Sequence, residues 1–243
     1  FIGENLLIQS NVIHSAWKSG VEQLLFLGSS CIYPKYAPQP IHETHLLSGM
    51  LESSNRPYAV AKIAGVEMCW AYNRQYGTRY LAVMPNNLYG LGDNYDLATS
   101  HVLPALIRKA HEAKCAGAAD LEVWGTGTPR REFLYSDDLA DACLFLLTRS
   151  PDVLANLFSE DHAPLINIGS GQEVSIRDLA DQVRGVVGFT GELEWDSSKP
   201  DGTPRKWVDV ERLHALGWSA TTTLAEGLGL AYQDFLERYH KST

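Results

Sequence analysis

Along residues 5–20 the apolar positions Leu6, Leu7, Val12, Ile13 and Trp17 recur at helical spacing, and the run stops at Gly20, so an amphipathic helix is expected. The pattern then changes. VEQLLFLGSS carries a continuous apolar run, the mark of a buried strand. After the Pro-rich loop YPKYAPQP and a polar stretch to Asn55, Pro57 can occupy the first turn of a helix that reaches about Gly77. RYLAVMP then reads as a second short buried strand. Helix, strand, loop, helix and strand in that order predict an α/β protein with parallel strands in a doubly wound sheet.

From about Leu91 the texture differs. SHVLPALIRKAHEAK predicts a helix, VWGTGTPRREF is turn-rich, a helix follows SDD, LINIGS is a strand, and another helix begins near Val174. The Gly/Ala-rich AKCAGAAD reads as a surface loop, and no internal repeat is present. The expected division is residues 1–90, part of a dinucleotide-type domain, and residues 91–243, a smaller mixed α/β domain with some segments returning to the first.

Composition narrows the classes. A chain of 243 residues, 45% hydrophobic, can bury one or two cores. The formal charge of −9 is spread without basic blocks, which argues against nucleic-acid and membrane-surface partners. Cys31, Cys69, Cys115 and Cys143 form no CxxC pair, so neither a metal site nor a disulfide framework is expected, and a reduced, cytoplasmic protein is. No apolar run approaches the ~20 residues of a membrane span. Phe1 opens no signal peptide, and the absence of an initial Met suggests numbering that starts inside a longer gene product.

The candidate chemistry gathers at the strand ends. Ser29, Ser30, Cys31 and the segment PNNLYG fall at carboxyl ends of predicted parallel strands, where such sheets hold ligands. YAVAK places Tyr58 and Lys62 one helical turn apart on one face. A neighbouring ammonium favours a phenolate, which would bring Tyr58 closer to working pH as an acid/base. A serine hydroxyl at a nearby strand end can polarise a carbonyl while Tyr58 delivers a proton to its oxygen. Either Ser29 or Ser30 fits that role, because adjacent strand residues face opposite ways.

These elements, with FLGSSCIYPK, PYAVAKIAG, YNRQYG, MPNNLYG, SHVLPALIRK, VWGTGTPRREFL and KPDGTPRKWVD, make the chain resemble the extended short-chain dehydrogenase/reductases nearly end to end, and among them the GDP-L-fucose synthase family. The resemblance implies a Rossmann-type sheet, NADP(H) as cofactor, and 3,5-epimerisation with 4-reduction of a GDP-linked 4-keto-6-deoxy sugar. It implies that Ser29, Tyr58 and Lys62 form a reductase triad, with Lys62 also on the nicotinamide ribose. It makes Cys31 and His101 the epimerase pair, a thiol and an imidazole being the side chains that titrate nearest neutral pH. Pro85, Asn86 and Leu88 are implied to border the nicotinamide, and Asn87 to contact substrate. For the diphosphate and nucleotide end the resemblance implies Lys109, Arg131, Arg205 and Lys206, with Trp124 as a flat face. Lys109 stands where that family commonly has arginine, so it offers a point charge in place of a bidentate fork. The other histidines, His240 among them, and the other cysteines gain no role.

The same family implies homodimerisation through helices at residues 5–18 and 57–76, where Ala61, Ala64 and Gly65 permit close packing but equally suit packing on the sheet. Its strand, G-x-x-G-x-x-G turn and helix for the cofactor pyrophosphate do not occur in these 243 residues, so the chain is expected to be a fragment. INIGSG lacks the G-x-G-x-x-G spacing and reads as a strand-to-helix turn. Alternatives are another nucleotide-sugar epimerase or reductase of the superfamily, or a catalytically silent nucleotide-sugar-binding module.

Overall fold

In the computed structural model, residues 2–242 are described, with side chains through Arg238; the His240 side chain lies outside them. The elements expected in the first half are present, but burial follows the apolar pattern only in part: Ile13 is buried with Gln9, whereas Leu7 and Val12 are exposed. Helix α1 (Ile2–Lys18) is followed by β1 (Gln23–Leu27), α2 (Arg56–Tyr76), β2 (Arg79–Pro85) and β3 (Asn87–Tyr89). Next come α3 (Val102–Ala116), β4 (Asp120–Trp124), β5 (Arg130–Tyr135), α4 (Ser136–Thr148) and α5 (Pro151–Leu154). The rest is β6 (Leu165–Ile168), β7 (Glu173–Ser175), α6 (Ile176–Val187), β8 (Glu192–Asp196), β9 (Arg205–Lys206), α7 (Glu211–Ala215) and α8 (Leu224–Ser242).

The chain divides into two units: Phe1–Asn86, Leu139–Gly171 and Trp207–Ala220 form one, and Asn87–Asp138, Gln172–Lys206 and Thr221–Thr243 the other. In the first, β1, β2 and β6 lie side by side in that order, all parallel, with Leu27 opposite Val83 and Met84 opposite Asn167. Parallel strands buried on both faces need continuous apolar runs; RYLAVMP is buried from Tyr80 onward, whereas the expected burial of QLLFL is complete only at Phe26, with Leu27 exposed. The carboxyl ends of β1 and β2 are therefore neighbours, and the residues that follow them, Gly28–Cys31 and Asn86, share one edge of the sheet. In the second unit β5 pairs parallel with β3 and β9 and antiparallel with β7, while β4 and β8 form a separate parallel pair.

Helix α2 approaches β1 closely at Gly65, where a Cβ would overlap the Phe26 ring. Of the two uses open to this glycine, packing on the sheet is the one observed. Ala61 is buried as well, and its carbonyl accepts a 2.6 Å hydrogen bond from Gln9 Nε2 of α1. Replacing Gly65 with valine is expected to cost about 1–3 kcal/mol through displacement of Phe26, read as a lowered midpoint in thermal unfolding.

Three local expectations differ from the structure. Residues Ala113–Ala116 of AKCAGAAD are the last turn of α3, which ends at Gly117 in the left-handed region, φ 62°. The helix after SDD begins at Ser136 itself, with Asp137 and Asp138 in its first turn, where carboxylates favour a helix N-terminus. Val174 lies in β7; the helix starts at Ile176 because Ser175 Oγ caps it by accepting from the Asp178 N–H at 3.0 Å.

Candidate active site

Two serines and a thiol follow β1, and the backbone sends them in different directions. Gly28 N–H extends the ladder to Val83 O at 2.9 Å, and at Gly28 a Cβ would displace the end of the Met84 side chain. The chain then leaves the sheet in a 3₁₀ turn, Ser30–Ile32. Ser29, in extended conformation, caps it: its Oγ accepts from Cys31 N–H at 3.2 Å. Ser29 also hydrogen-bonds Tyr58 through its side chain. Ser30 is buried and donates instead to Asn86 Oδ1 at 3.3 Å. Of the two serines, Ser29 is thus the one that meets Tyr58. Cys31, partly buried and in no disulfide, is close enough that its charge acts on Tyr58.

Tyr58 and Lys62 project from the same face of α2, but their electrostatics differ from the sequence expectation. Burial raises the Tyr58 pKa; the Ser29 hydrogen bond opposes the shift and the Cys31 charge adds to it. The ammonium does not pull it down. Lys62 Nζ donates to Leu27 O at 2.8 Å and lies 5.0 Å from the Phe26 ring centroid and 5.7 Å from that of Tyr58. Burial lowers the Lys62 pKa. Tyr58 is therefore held as a neutral hydroxyl, the form that donates a proton.

Apart from Pro85 and Asn86, the other predicted residues lie in the second unit. His101 is the N-cap residue of α3, exposed and without a side-chain capping bond. Beside it the buried Ser100 hydroxyl has no hydrogen-bond partner among the described residues. The Asp93 carboxyl is pushed up by burial, with the His101 charge among the influences that oppose this. Asn87 Nδ2 donates to Glu132 O at 2.7 Å, so its amide braces β3 on β5. Leu88 of β3 is exposed, whereas Pro85 and Asn86 at the end of β2 are buried, with Asn86 holding Ser30.

The nucleotide-end candidates separate by partner. Lys109 Nζ lies 5.0 Å and Lys199 Nζ 5.4 Å from the Trp124 ring centroid, and Trp124 Nε1 donates to Glu122 Oε1 at 2.9 Å. Sequence reasoning missed Lys199; its only signal is the KPDGTPRK segment it opens. Arg131 is largely buried, which lowers its pKa against the opposing charge of Asp201, and its Nη1 donates to Arg130 O at 2.8 Å. Asp201 itself closes the turn by accepting from Thr126 N at 2.9 Å and Thr126 Oγ1 at 2.7 Å. Arg205 is an exception to the phosphate expectation: its Nε is 2.7 Å from Glu173 Oε2, and Arg130 Nε is 2.8 Å from Oε1 of the same carboxylate. That carboxylate holds both guanidiniums, and its pKa falls accordingly. Lys206 is half-buried beside Arg131 in register. Among the described residues no group of three or more His, Cys, Asp and Glu could hold a metal ion, and no helix is long and apolar enough to cross a membrane.

Residues 1–157 match the model of the NAD dependent epimerase/dehydratase family. The chain belongs to that family. GDP-L-fucose synthase 1 of Arabidopsis thaliana is 56% identical over 98% of this chain and 70% of its own length. The crystal structure of a GDP-6-OMe-4-keto-L-xylo-heptose reductase from C. jejuni superimposes with a TM-score of 0.89 at 37% identity, covering 100% of this chain and 77% of that one. A GDP-L-fucose synthetase from Naegleria fowleri bound to NADP superimposes with a TM-score of 0.85 at 29% identity, covering 97% and 70%. The parallel sheet with flanking helices is the architecture the sequence predicted.

For a member of the epimerase/dehydratase family the donor set at β1 and β2 fits a dinucleotide. An ammonium and a phenol on one helix face, beside the carboxyl ends of two parallel strands, suit ribose hydroxyls and a nicotinamide ring.

Proposed function

We propose that the protein converts GDP-4-keto-6-deoxy-D-mannose to GDP-L-fucose, inverting C3 and C5 and reducing the C4 ketone at the expense of NADPH. The observation that carries this reading is the meeting of the Tyr58 hydroxyl of α2 with the turn at the end of β1, which bears both Ser29 and Cys31. Two hydroxyls suit a carbonyl oxygen. A thiol beside them suits the hydrogens that a carbonyl acidifies.

Ser29 and Tyr58 donate to the C4 oxygen. C3 and C5 flank that carbonyl, so loss of either proton gives an enolate whose oxygen the same two donors stabilise. Cys31 and His101 remove and return protons on opposite faces. The cofactor, when bound, supplies hydride to C4. Tyr58 gives its proton to the resulting oxyanion and regains one from solvent, and Lys62 would hold the ribose. Pro85, Asn86 and Leu88 border the nicotinamide, and Asn87 stands at the sugar. Lys109, Arg131 and Lys206 supply positive charge to the diphosphate, with Trp124 at the nucleoside, while Arg205 keeps β9 on β5 through Glu173. The protein works in the cytoplasm.

Incubation of the purified protein with NADPH and the GDP-keto sugar is expected to oxidise one NADPH per sugar and release the doubly inverted product. A protein that reduces the ketone and leaves C3 and C5 untouched is a plain reductase, and the proposal fails.

The working form is a homodimer through α1 and α2. Leu7 and Ile8 of α1 are each 65% exposed and Val12 is 54% exposed, an apolar stripe that suits a second copy. Sedimentation is expected to give twice the 26.9 kDa chain mass, and the pair Leu7→Asp and Ile8→Asp is expected to give monomers. A wild-type monomer at micromolar concentration contradicts this.

A further inference from the structure

The turn that carries Cys31 is anchored at both ends, and the two anchors differ. On its amino side the β1 ladder, the Ser29 cap and the Ser30–Asn86 bond hold it, as described above. Its own backbone closure is uneven: Ile32 N–H reaches Ser29 O at 3.1 Å, but Tyr33 N–H reaches Ser30 O only at 3.4 Å. On the carboxyl side Ile32 is fully buried and Lys35 N–H donates to Met50 O at 2.9 Å, and the shortest hydrogen bond there is made by a side chain. Tyr33, 3% exposed, donates its hydroxyl to Asn167 Oδ1 at 2.6 Å.

Asn167 is fully buried in β6, and its amide oxygen, amide nitrogen and backbone N–H are all engaged. Nδ2 donates to Ile41 O at 2.8 Å, and the backbone N–H donates to Glu43 Oε1 at 3.0 Å. Glu43, also buried, lies 3.7 Å from Arg212 Nη1, which donates to Leu165 O at 3.1 Å. This fixes the asparagine amide in one orientation. It ties the turn after β1 to a strand two positions away in the sheet. An asparagine inside the apolar strand LINI is costly to bury unless every group is satisfied, so a role beyond filling space is indicated.

We propose that Tyr33 and Asn167, backed by Glu43, are positioning residues for the Cys31 thiol, and that they govern epimerisation more than hydride transfer. The inference rests on the functional reading above. Proton transfer depends steeply on placement, a displacement of ~1 Å costing as much as ~10²-fold. Cys31 lies between the two anchors. Ser29 and Tyr58 are held independently, by the strand ladder and by α2, so loss of the Tyr33 anchor frees the thiol and leaves the hydroxyl pair in place.

The test separates the two half-reactions. Deuterium wash-in at C3 and C5 of the GDP-keto sugar, in D2O with NADP+, reports proton transfer. Oxidation of GDP-L-fucose at C4 by NADP+ reports the hydride step. Tyr33→Phe is expected to slow wash-in about 10- to 100-fold, with KM and the C4 oxidation rate changed less than about 3-fold. Asn167→Ala is expected to do the same, and the double variant to be no slower than the worse single one, since the bond that Tyr33→Phe removes is also removed by Asn167→Ala. Should Asn167→Ala fail to fold, Tyr33→Phe alone decides. Equal losses in both half-reactions, or no loss in either, overturn the positioning role. A wild-type protein that catalyses neither half-reaction overturns the functional reading, and this inference with it.

Discussion

Replacing Cys31 with serine is expected to leave NADPH oxidation measurable while the product retains the substrate's configuration at C3, C5 or both. The reason lies in acidity and placement. A thiol gives and takes protons near neutral pH, whereas a serine hydroxyl in the same turn does neither without a base of its own. Loss of a positioned acid/base group costs roughly 10²- to 10⁴-fold in the step it serves. The substitution is nearly isosteric, and Ser29 caps the turn through the residue 31 backbone N–H, which serine preserves. The turn should therefore survive, and with it the Ser29–Tyr58 pair. The product's configuration, read by NMR, checks the prediction; full double inversion by the Cys31→Ser protein would transfer the role to another group.

Tyr58→Phe is expected to have the complementary effect. Removing the hydroxyl takes away the proton for the reduced oxygen and one of two donors on the ketone, so reduction falls by roughly 10²- to 10⁴-fold. Exchange at C3 and C5 falls less, because Ser29 still donates. The pH dependence follows from the raised Tyr58 pKa. The acid form is the proton donor, and burial extends its range upward, so reduction should not decline through ionisation of Tyr58 until the pH exceeds the ordinary tyrosine value of about 10. An activity limb near neutral pH that disappears in Tyr58→Phe would contradict this assignment. Rates of NADPH oxidation across pH, for both proteins, supply the measurement.

Much of this was legible in the chain. Helix α1 and strands β1 and β2 declare themselves because apolar spacing is a local property, and a Tyr–Lys pair one turn apart must share a face. What escaped depends on long-range or competing effects. The choice between Ser29 and Ser30 is made by a 3₁₀ turn that breaks strand alternation just where it matters. The direction of the Tyr58 shift is set by burial winning over an ammonium that a carbonyl has drawn away. Arg205 looked like a spare cation until Glu173, 32 residues earlier, closed on it. Tyr33 and Asn167 are 134 residues apart, and only the sheet order brings them together. The asparagine in LINI was the available signal, a polar residue in a strand with no polar face.

In the proposed mechanism one carbonyl site serves both epimerisation and reduction. Turnover of GDP-4-keto-6-deoxy-D-mannose in D2O with unlabelled NADPH tests it most directly, with the label in the product located by NMR. The account predicts deuterium at both C3 and C5 and protium at C4. A 4-reduced product that carries protium at C3 and C5 would mean that the thiol and imidazole move no protons, and the account would be wrong.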